Sequence, residues 1–488
     1  MGKIKGKINT ENILCAFIIL CPILDIVSFL WRNCFNTSIS PSTIIRPIIP
    51  ICIAIYLFFK EGKKFKKWVI IGAIIYLIYG IIHLVIFQNL HTLSSYSNIM
   101  HEAQYIVNYT FMILVLGIFL YVFKDKDVKN LNKSIIISAG IYIISIFIAI
   151  LTKTSSSTYI EGIGYKGWFE SGNSISTILI LSMFICLMNL KDKRLRKIII
   201  PIIILVGIYL TTLIGTRVGL YGFILVLVIY AFVEILYNIL HKQKFNKRVI
   251  LLVVAGICAV LLVVIAVGSS TVQRRQHLKD IQKDIVDENT NIESHITGSL
   301  LEIKQGIENK TLEEGYLSEA QEKSILELYD IANKLNIKNN DQRMQQLIYN
   351  VVLVKNQHNI LSILFGNGYM NNFRELVLEM EIPAFLLNFG ICGFILYFVP
   401  FLSIFTYSAY IGLKNIKKIN QEYILLLLGA GFALAISFLA GYTFFNMSTM
   451  TIIVVIDTLL MKQTMKIKGL AKEEINQIDS KKLKILEL

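Results

Sequence analysis

Three short stretches carry residues whose chemistry goes beyond membrane packing. In TTLIGTRVGL, Thr211 to Leu220, Arg217 sits in a very tight turn between two apolar runs. There a guanidinium can grip phosphate oxygens in pairs, or simply snorkel to lipid headgroups. In ILFGNGYMNNFRELVLEMEIPAFLLNFGICGFILYF, Ile363 to Phe398, a turn made by Gly366 and Gly368 leads through Glu375, Glu379 and Glu381 into an apolar run. Glu381, just before Pro383, is placed where partial desolvation raises a carboxylate's pKa and suits it to general-base work, and Glu379 offers the same chemistry two residues earlier. The plainer reading is that these carboxylates flank a membrane helix and face water. In ESGNSIST, Glu170 to Thr177, the amide of Asn173 enters a third apolar run, where it can bind a polar ligand or a neighbouring helix. Arg343 and Arg374 are further candidate cations, with solvated surface charge as the alternative. Gly366 and Gly368 are read as a structural turn that side chains would obstruct.

The elements that must position these residues are apolar and helical. The 488 residues are 55% hydrophobic and only 17% charged, which excludes an ordinary soluble enzyme. Runs long enough to cross a bilayer fall near 12–31, 43–59, 68–87, 105–123, 134–151, 172–190, 198–214, 218–240, 249–268, 384–411, 423–440 and 447–462. The expected architecture is an all-α polytopic membrane protein with about twelve transmembrane helices: nine spans in 1–268, a large loop over 269–383, three spans in 384–462, and a tail over 463–488.

The net charge of +15 does not indicate nucleic acid, because the basic residues form short clusters between apolar runs. Clusters at Lys3 to Lys7, Lys60 to Lys67, Lys124 to Lys133, Lys191 to Lys197, Lys242 to Arg248 and Lys414 to Lys418 all fall on one side of a twelve-span chain. By the positive-inside rule that side, with both termini, is cytoplasmic. The loop 269–383 then lies outside, and its 12 Lys/Arg against 17 Asp/Glu leave it free to be translocated. Apolar spacings of three and four from Leu317 and from Asp341 predict amphipathic helices lying on the outer membrane face.

Seven cysteines lie in or beside predicted spans and read as small core residues, not as a disulfide framework or metal site. No P-loop, GxGxxG or HExxH match is present, and neither a cofactor nor a metal is assigned. Asp25, Arg46, His83, Glu102 and Glu234 are ionisable residues in or near spans; Arg46 and Asp25 are expected to pair, and none is given a catalytic role. Tyr159, Tyr165, Trp168 and Phe169 suit either sugar stacking or an interfacial aromatic belt.

In order and membrane placement these stretches resemble the O-antigen ligase/polymerase family, integral-membrane glycosyltransferases acting on polyprenyl-pyrophosphate-linked glycans. The parts are the Gly172-Asn173 span start, the Thr216-Arg217 turn, the long loop with Arg343 on a helix near its end, and LFGNGY leading into NFGICGFILYF; they cover roughly residues 130–460. Two departures stand out. The family's His-Asn pair after the Gly-x-Gly turn is replaced by Glu375, Glu379 and Glu381, and its Ser-Arg is Thr216-Arg217 here. The resemblance implies a bacterial inner-membrane enzyme that moves a glycan from a carrier such as undecaprenyl pyrophosphate to an acceptor sugar hydroxyl. Arg217, Arg343, Arg374 and Asn173 would contact pyrophosphate or glycan, and Glu379 or Glu381 would act as base. The departures favour a capsule or O-antigen polymerase over a ligase. A lipid-linked oligosaccharide flippase is the alternative from another class.

Overall fold

The computed structural model describes residues 9–36, 40–91, 98–159, 162–240, 268–277, 299–313, 316–335, 337, 342–369, 376, 378–439, 441 and 443–486. Among these, eight helices are long and apolar enough to cross a membrane, or nine if one bent pair is a single span. All but Gly268 of the span expected at 249–268, Cys258 included, lies outside the described residues.

The helices in the first half are α1 (Thr10–Phe35), α2 (Pro41–Lys60), α3 (Lys63–His91), α4 (Ile99–Phe123), α5 (Lys129–Leu151), α6 (Gly172–Met188), α7 (Lys193–Ile208) and α8 (Arg217–Leu240). Their ends reflect local chemistry. Asn9 and Ser171 cap the first turns of α1 and α6, and Asn36 ends α1 in the left-handed region at φ 52°. α6 is the centre of the bundle, with 83% of its apolar window buried, whereas α3 stands at the edge with 22% buried. Between α5 and α6 a two-stranded ladder, β1 (Ser156–Ser157) and β2 (Tyr165–Gly167), closes a short turn. It buries Phe169 against Tyr142 and leaves Tyr165 exposed.

The loop after residue 269 contains α9 (Ser299–Glu308), α10 (Glu319–Lys334), α11 (Gln342–Asn356) and α12 (Ile360–Phe365). α10 opens with a capping box between Ser318 and Gln321. The amphipathic pattern expected to lie on the membrane is used differently: Ile325, Leu328 and Tyr329 of α10 pack with Tyr349 and Leu353 of α11 in a small separate core. Apolar stripes that meet each other leave water together and need no bilayer.

The run expected as one span over 384–411 is broken into α13 (Glu381–Asn388), α14 (Gly390–Tyr397) and α15 (Val399–Lys414), with a 53° bend between the last two. Gly390 at φ 68° ends the first piece, and Pro400 in the first turn of α15 removes a helix N–H. α16 (Gln421–Leu439) and α17 (Met447–Leu486) complete the chain. Six cysteines are described and all are free; Cys15, Cys21 and Cys186 are core, while Cys34 and Cys52 are exposed.

Candidate functional site

Arg343, Glu379 and Glu381 meet around one segment, the turn 439–446 that joins α16 to α17. From the first turn of α11, Arg343 donates Nε to Glu379 at 3.4 Å and Nη1 to the carbonyl of Leu439 at 2.7 Å. The Glu379 backbone N–H donates to Gln346 of the same helix at 3.2 Å, so α11 holds both partners of the ion pair. The Glu379 side chain remains 34% exposed.

Glu381 has a different environment. It is fully buried, and its two oxygens accept from the backbone N–H groups of Thr443 at 2.5 Å, Phe444 at 2.8 Å and Phe445 at 3.0 Å. Burial pushes its carboxyl up to about 7, against the pull of the three amides. The carboxylate therefore clasps the 443–445 backbone.

The Gly-Asn-Gly turn is docked on the C-terminal end of α13. Gly366 and Gly368 are left-handed at φ 95° and 86°; a Cβ on the first would collide with the Asn388 carbonyl and on the second with Phe87. The N–H groups of Asn367 and Gly368 donate to the carbonyls of Leu387 at 3.0 Å and Asn388 at 2.8 Å. Those are the carbonyls that end α13, so amides that would cradle a phosphate are already engaged.

A pair of buried residues without an assigned role fixes the same turn from the other side. His83 Nδ1 lies 2.6 Å from the Phe365 carbonyl, and Nε2 lies 2.9 Å from Glu102, which also accepts from the Tyr369 N–H at 2.9 Å. Because a carbonyl can only accept, Nδ1 is the donor to Phe365. Tyr369 packs on Tyr105 at 4.1 Å and edge-on to Phe445 at 5.5 Å, which links the turn to 439–446.

Arg217 and Asn173 lie beside α6. α7 runs into a π-helical turn, Tyr209–Leu213, where Thr211 and Thr212 return hydrogen bonds to the carbonyls of Gly207 and Ile208. Thr216 is buried, its hydroxyl 2.7 Å from that of Ser176 on α6, and it caps Gly219 at 3.1 Å. That fixes Arg217 as the first residue of α8, exposed and with no ion-pair or hydrogen-bond partner among the described residues. Asn173 is half-buried in the first turn of α6.

Arg274 was not among the sequence candidates, although the Arg274-Arg275 pair opening the loop was a visible signal. Ser269, Ser270 and Thr271 bond the carbonyls of Thr211, Thr212 and Thr216, which seats the helical stretch 270–277 on the Arg217 turn. The guanidinium of Arg274 lies 3.3 Å from the ring centre of Tyr159, whose hydroxyl donates to the Gly215 carbonyl at 3.2 Å. No contact joins Arg217 directly to Arg343, Glu379 or Glu381 among the described residues, and Arg374 and Glu375 lie outside them.

A cavity of about 1360 Å³ is bounded in part by the start of α6 and by residues 445–447. Its polar end takes Glu170, Ser171 and Ser174 from the α6 side and Phe445, Asn446 and Met447 from the turn that Glu381 clasps. Arg32 pairs there with Glu170. Deeper in, Arg46 pairs with Asp25, which also accepts from Tyr142 at 2.6 Å and Ser448 at 2.7 Å. The expected Asp25–Arg46 pair is thus formed, and it faces the cavity.

A helical bundle with eight or nine membrane-span candidates around a cavity holding the Arg32–Glu170 and Arg46–Asp25 pairs defines a polytopic membrane protein. Residues 7–467 match the O-antigen ligase like membrane protein family, and the chain belongs to that family. Membership places it among the multi-pass membrane proteins of glycan ligation and polymerisation, which act on lipid-linked glycans. No curated protein matches the chain.

Proposed function

We propose that this protein polymerises a cell-surface polysaccharide, capsule or O-antigen-like, on the outer face of the bacterial cytoplasmic membrane. The acceptor sugar hydroxyl attacks the anomeric carbon of a polyprenyl-pyrophosphate-linked glycan. The carbon–oxygen bond to pyrophosphate breaks, the new glycosidic bond forms, the hydroxyl proton passes to a carboxylate, and polyprenyl pyrophosphate leaves. One observation carries this reading: the cavity is lined by Glu170, Ser171 and Ser174 at the start of α6 and by Phe445 and Asn446, next to the backbone that Glu381 clasps and that Arg343 holds at Leu439.

In this reading Arg217, supported by Arg274, takes the pyrophosphate and stabilises the charge that develops on it. Asn173 and Arg343 orient pyrophosphate or glycan, and Arg374 is retained as a further contact. Glu379, part-exposed beside Arg343, is the base. Glu381 positions the 443–446 backbone whose Asn446 enters the mouth. The purified protein in a bilayer should lengthen lipid-pyrophosphate-linked repeat units with neither ATP nor a nucleotide sugar. Product chains that stay at one repeat while an envelope acceptor is modified would establish a ligase. Movement of the lipid between leaflets with no new glycosidic bond would establish a flippase.

The reading also requires twelve crossings, cytoplasmic termini and an external 269–383 loop. Cysteine labelling from outside intact cells should modify a cysteine placed at Glu319 and spare those at Lys64, Lys193 and Lys417. Labelling of Lys64 but not Glu319 would invert the topology and end the proposal.

A further inference from the structure

Two distant segments close on the Arg217 turn. From the turn between β1 and β2, Gly164 at φ 74° packs so tightly that a Cβ there would collide with the Ile214 carbonyl. From the start of the loop, the hydroxyls of Ser269, Ser270 and Thr271 donate to the carbonyls of Thr211, Thr212 and Thr216. Tyr159 joins all three pieces. Its backbone N–H donates to Ile163 at 3.2 Å within its own turn, its hydroxyl donates to the Gly215 carbonyl at 3.2 Å, and its ring centre lies 3.3 Å from the Arg274 guanidinium. Gly215, at φ 82°, makes room for this: the position a Cβ would take is 3.3 Å from the Tyr159 ring and 3.2 Å from the Ser270 side chain.

We infer that Tyr159 is a positioning residue for pyrophosphate recognition: its ring holds the Arg274 guanidinium on the Arg217 turn and leaves the N–H donors of that arginine to the ligand. The inference rests on the proposed lipid-pyrophosphate substrate and adds the residue that aims its second cation. A long arginine side chain loses rotamer freedom when it binds, and a site that orders it beforehand removes that cost from binding. A carboxylate partner would also order Arg274, but it would cancel the charge and occupy the in-plane donors. An aromatic face restrains the same group and leaves its edge open. Arg274 has this arrangement. It is half-buried, it pairs with no carboxylate among the described residues, and its Nε is buried without a hydrogen-bond partner among them. The tyrosine that sequence alone offered to a sugar thus lies against a cation.

The test measures undecaprenyl pyrophosphate binding to the full-length protein in nanodiscs by native mass spectrometry. Tyr159→Leu removes the ring and should weaken binding about fivefold to tenfold. Tyr159→Phe keeps the ring and loses only the hydrogen bond to Gly215, so it should stay within about threefold of wild type. Arg274→Ala should lose at least as much as Tyr159→Leu. Adding Tyr159→Leu to Arg274→Ala should then change nothing further, because the ring has no cation left to hold. A tyrosine that merely supported the turn would give additive losses. Additive losses, a Phe variant as weak as the Leu variant, or wild-type binding by Tyr159→Leu would each overturn the inference. Elongation measured on the same samples keeps the two readings apart. The predicted coupling in binding with no elongation by wild type would leave the positioning role standing and remove the proposed reaction. Normal binding and elongation in every variant would remove the positioning role and leave the reaction.

Discussion

Arg217→Lys should cut glycan elongation by roughly one to two decades while abundance and membrane insertion stay near wild type. Lysine keeps the charge but loses the planar fork that holds two oxygens at once, and one charge-assisted hydrogen bond is worth about 1.5–3 kcal/mol. Arg217→Ala should be worse. The fold has no stake in this side chain, since it is exposed and without a partner among the described residues, whereas the neighbouring Thr216 is buried and bonded to Ser176. Elongation should fall further than donor binding, because the lost contact strengthens as pyrophosphate leaves. Near-normal elongation in Arg217→Lys would return this residue to the headgroup-snorkelling reading.

Glu379→Gln and Glu381→Gln should fail differently, although they are two residues apart. Glu379→Gln keeps the size of a side chain that is partly open to solvent and held by Arg343, so donor binding should survive. An amide cannot take the acceptor proton, and elongation should drop by about two to four decades. Glu381→Gln replaces two accepting oxygens with one oxygen and an NH₂ directed at backbone N–H groups. Leaving a buried donor unsatisfied costs about 1–3 kcal/mol, so the clasp on Thr443, Phe444 and Phe445 should loosen. Thermal stability and donor binding should then fall with elongation. A Glu381→Gln protein that is stable, binds donor normally and is nevertheless inactive would move the base to Glu381 and leave Glu379 as a partner of Arg343.

The sequence alone determined the features that composition and period control. Apolar runs of bilayer length forced helices, because an unpaired backbone group in hydrocarbon is too costly, and their spacing placed α1 to α8 with small boundary errors. Glycines in a Gly-Asn-Gly turn and an arginine in a turn too tight for packing were legible for the same reason: each residue type has few local uses. The break of the 384–411 run was less legible, since Gly390 and Pro400 sit among uniformly apolar neighbours and only their conformations in the folded chain separate three helices from one.

Tertiary structure decided everything that depends on a second segment. No spacing reveals that Glu381 faces a backbone 62 residues away or that Arg343 reaches Leu439 across 96 residues. His83 and Glu102 looked like isolated charges in spans; burial together made them the anchor of the Gly-Asn-Gly turn. Arg274 became notable only when three hydroxyls of 269–271 seated it on the Arg217 turn. The cavity has no sequence signature at all, because its lining comes from α1 to α4, α6 and residues 445–447, which only the folded chain brings together. Local propensity is fixed by neighbours in the chain, whereas a site is fixed by which distant donors and acceptors lose water together.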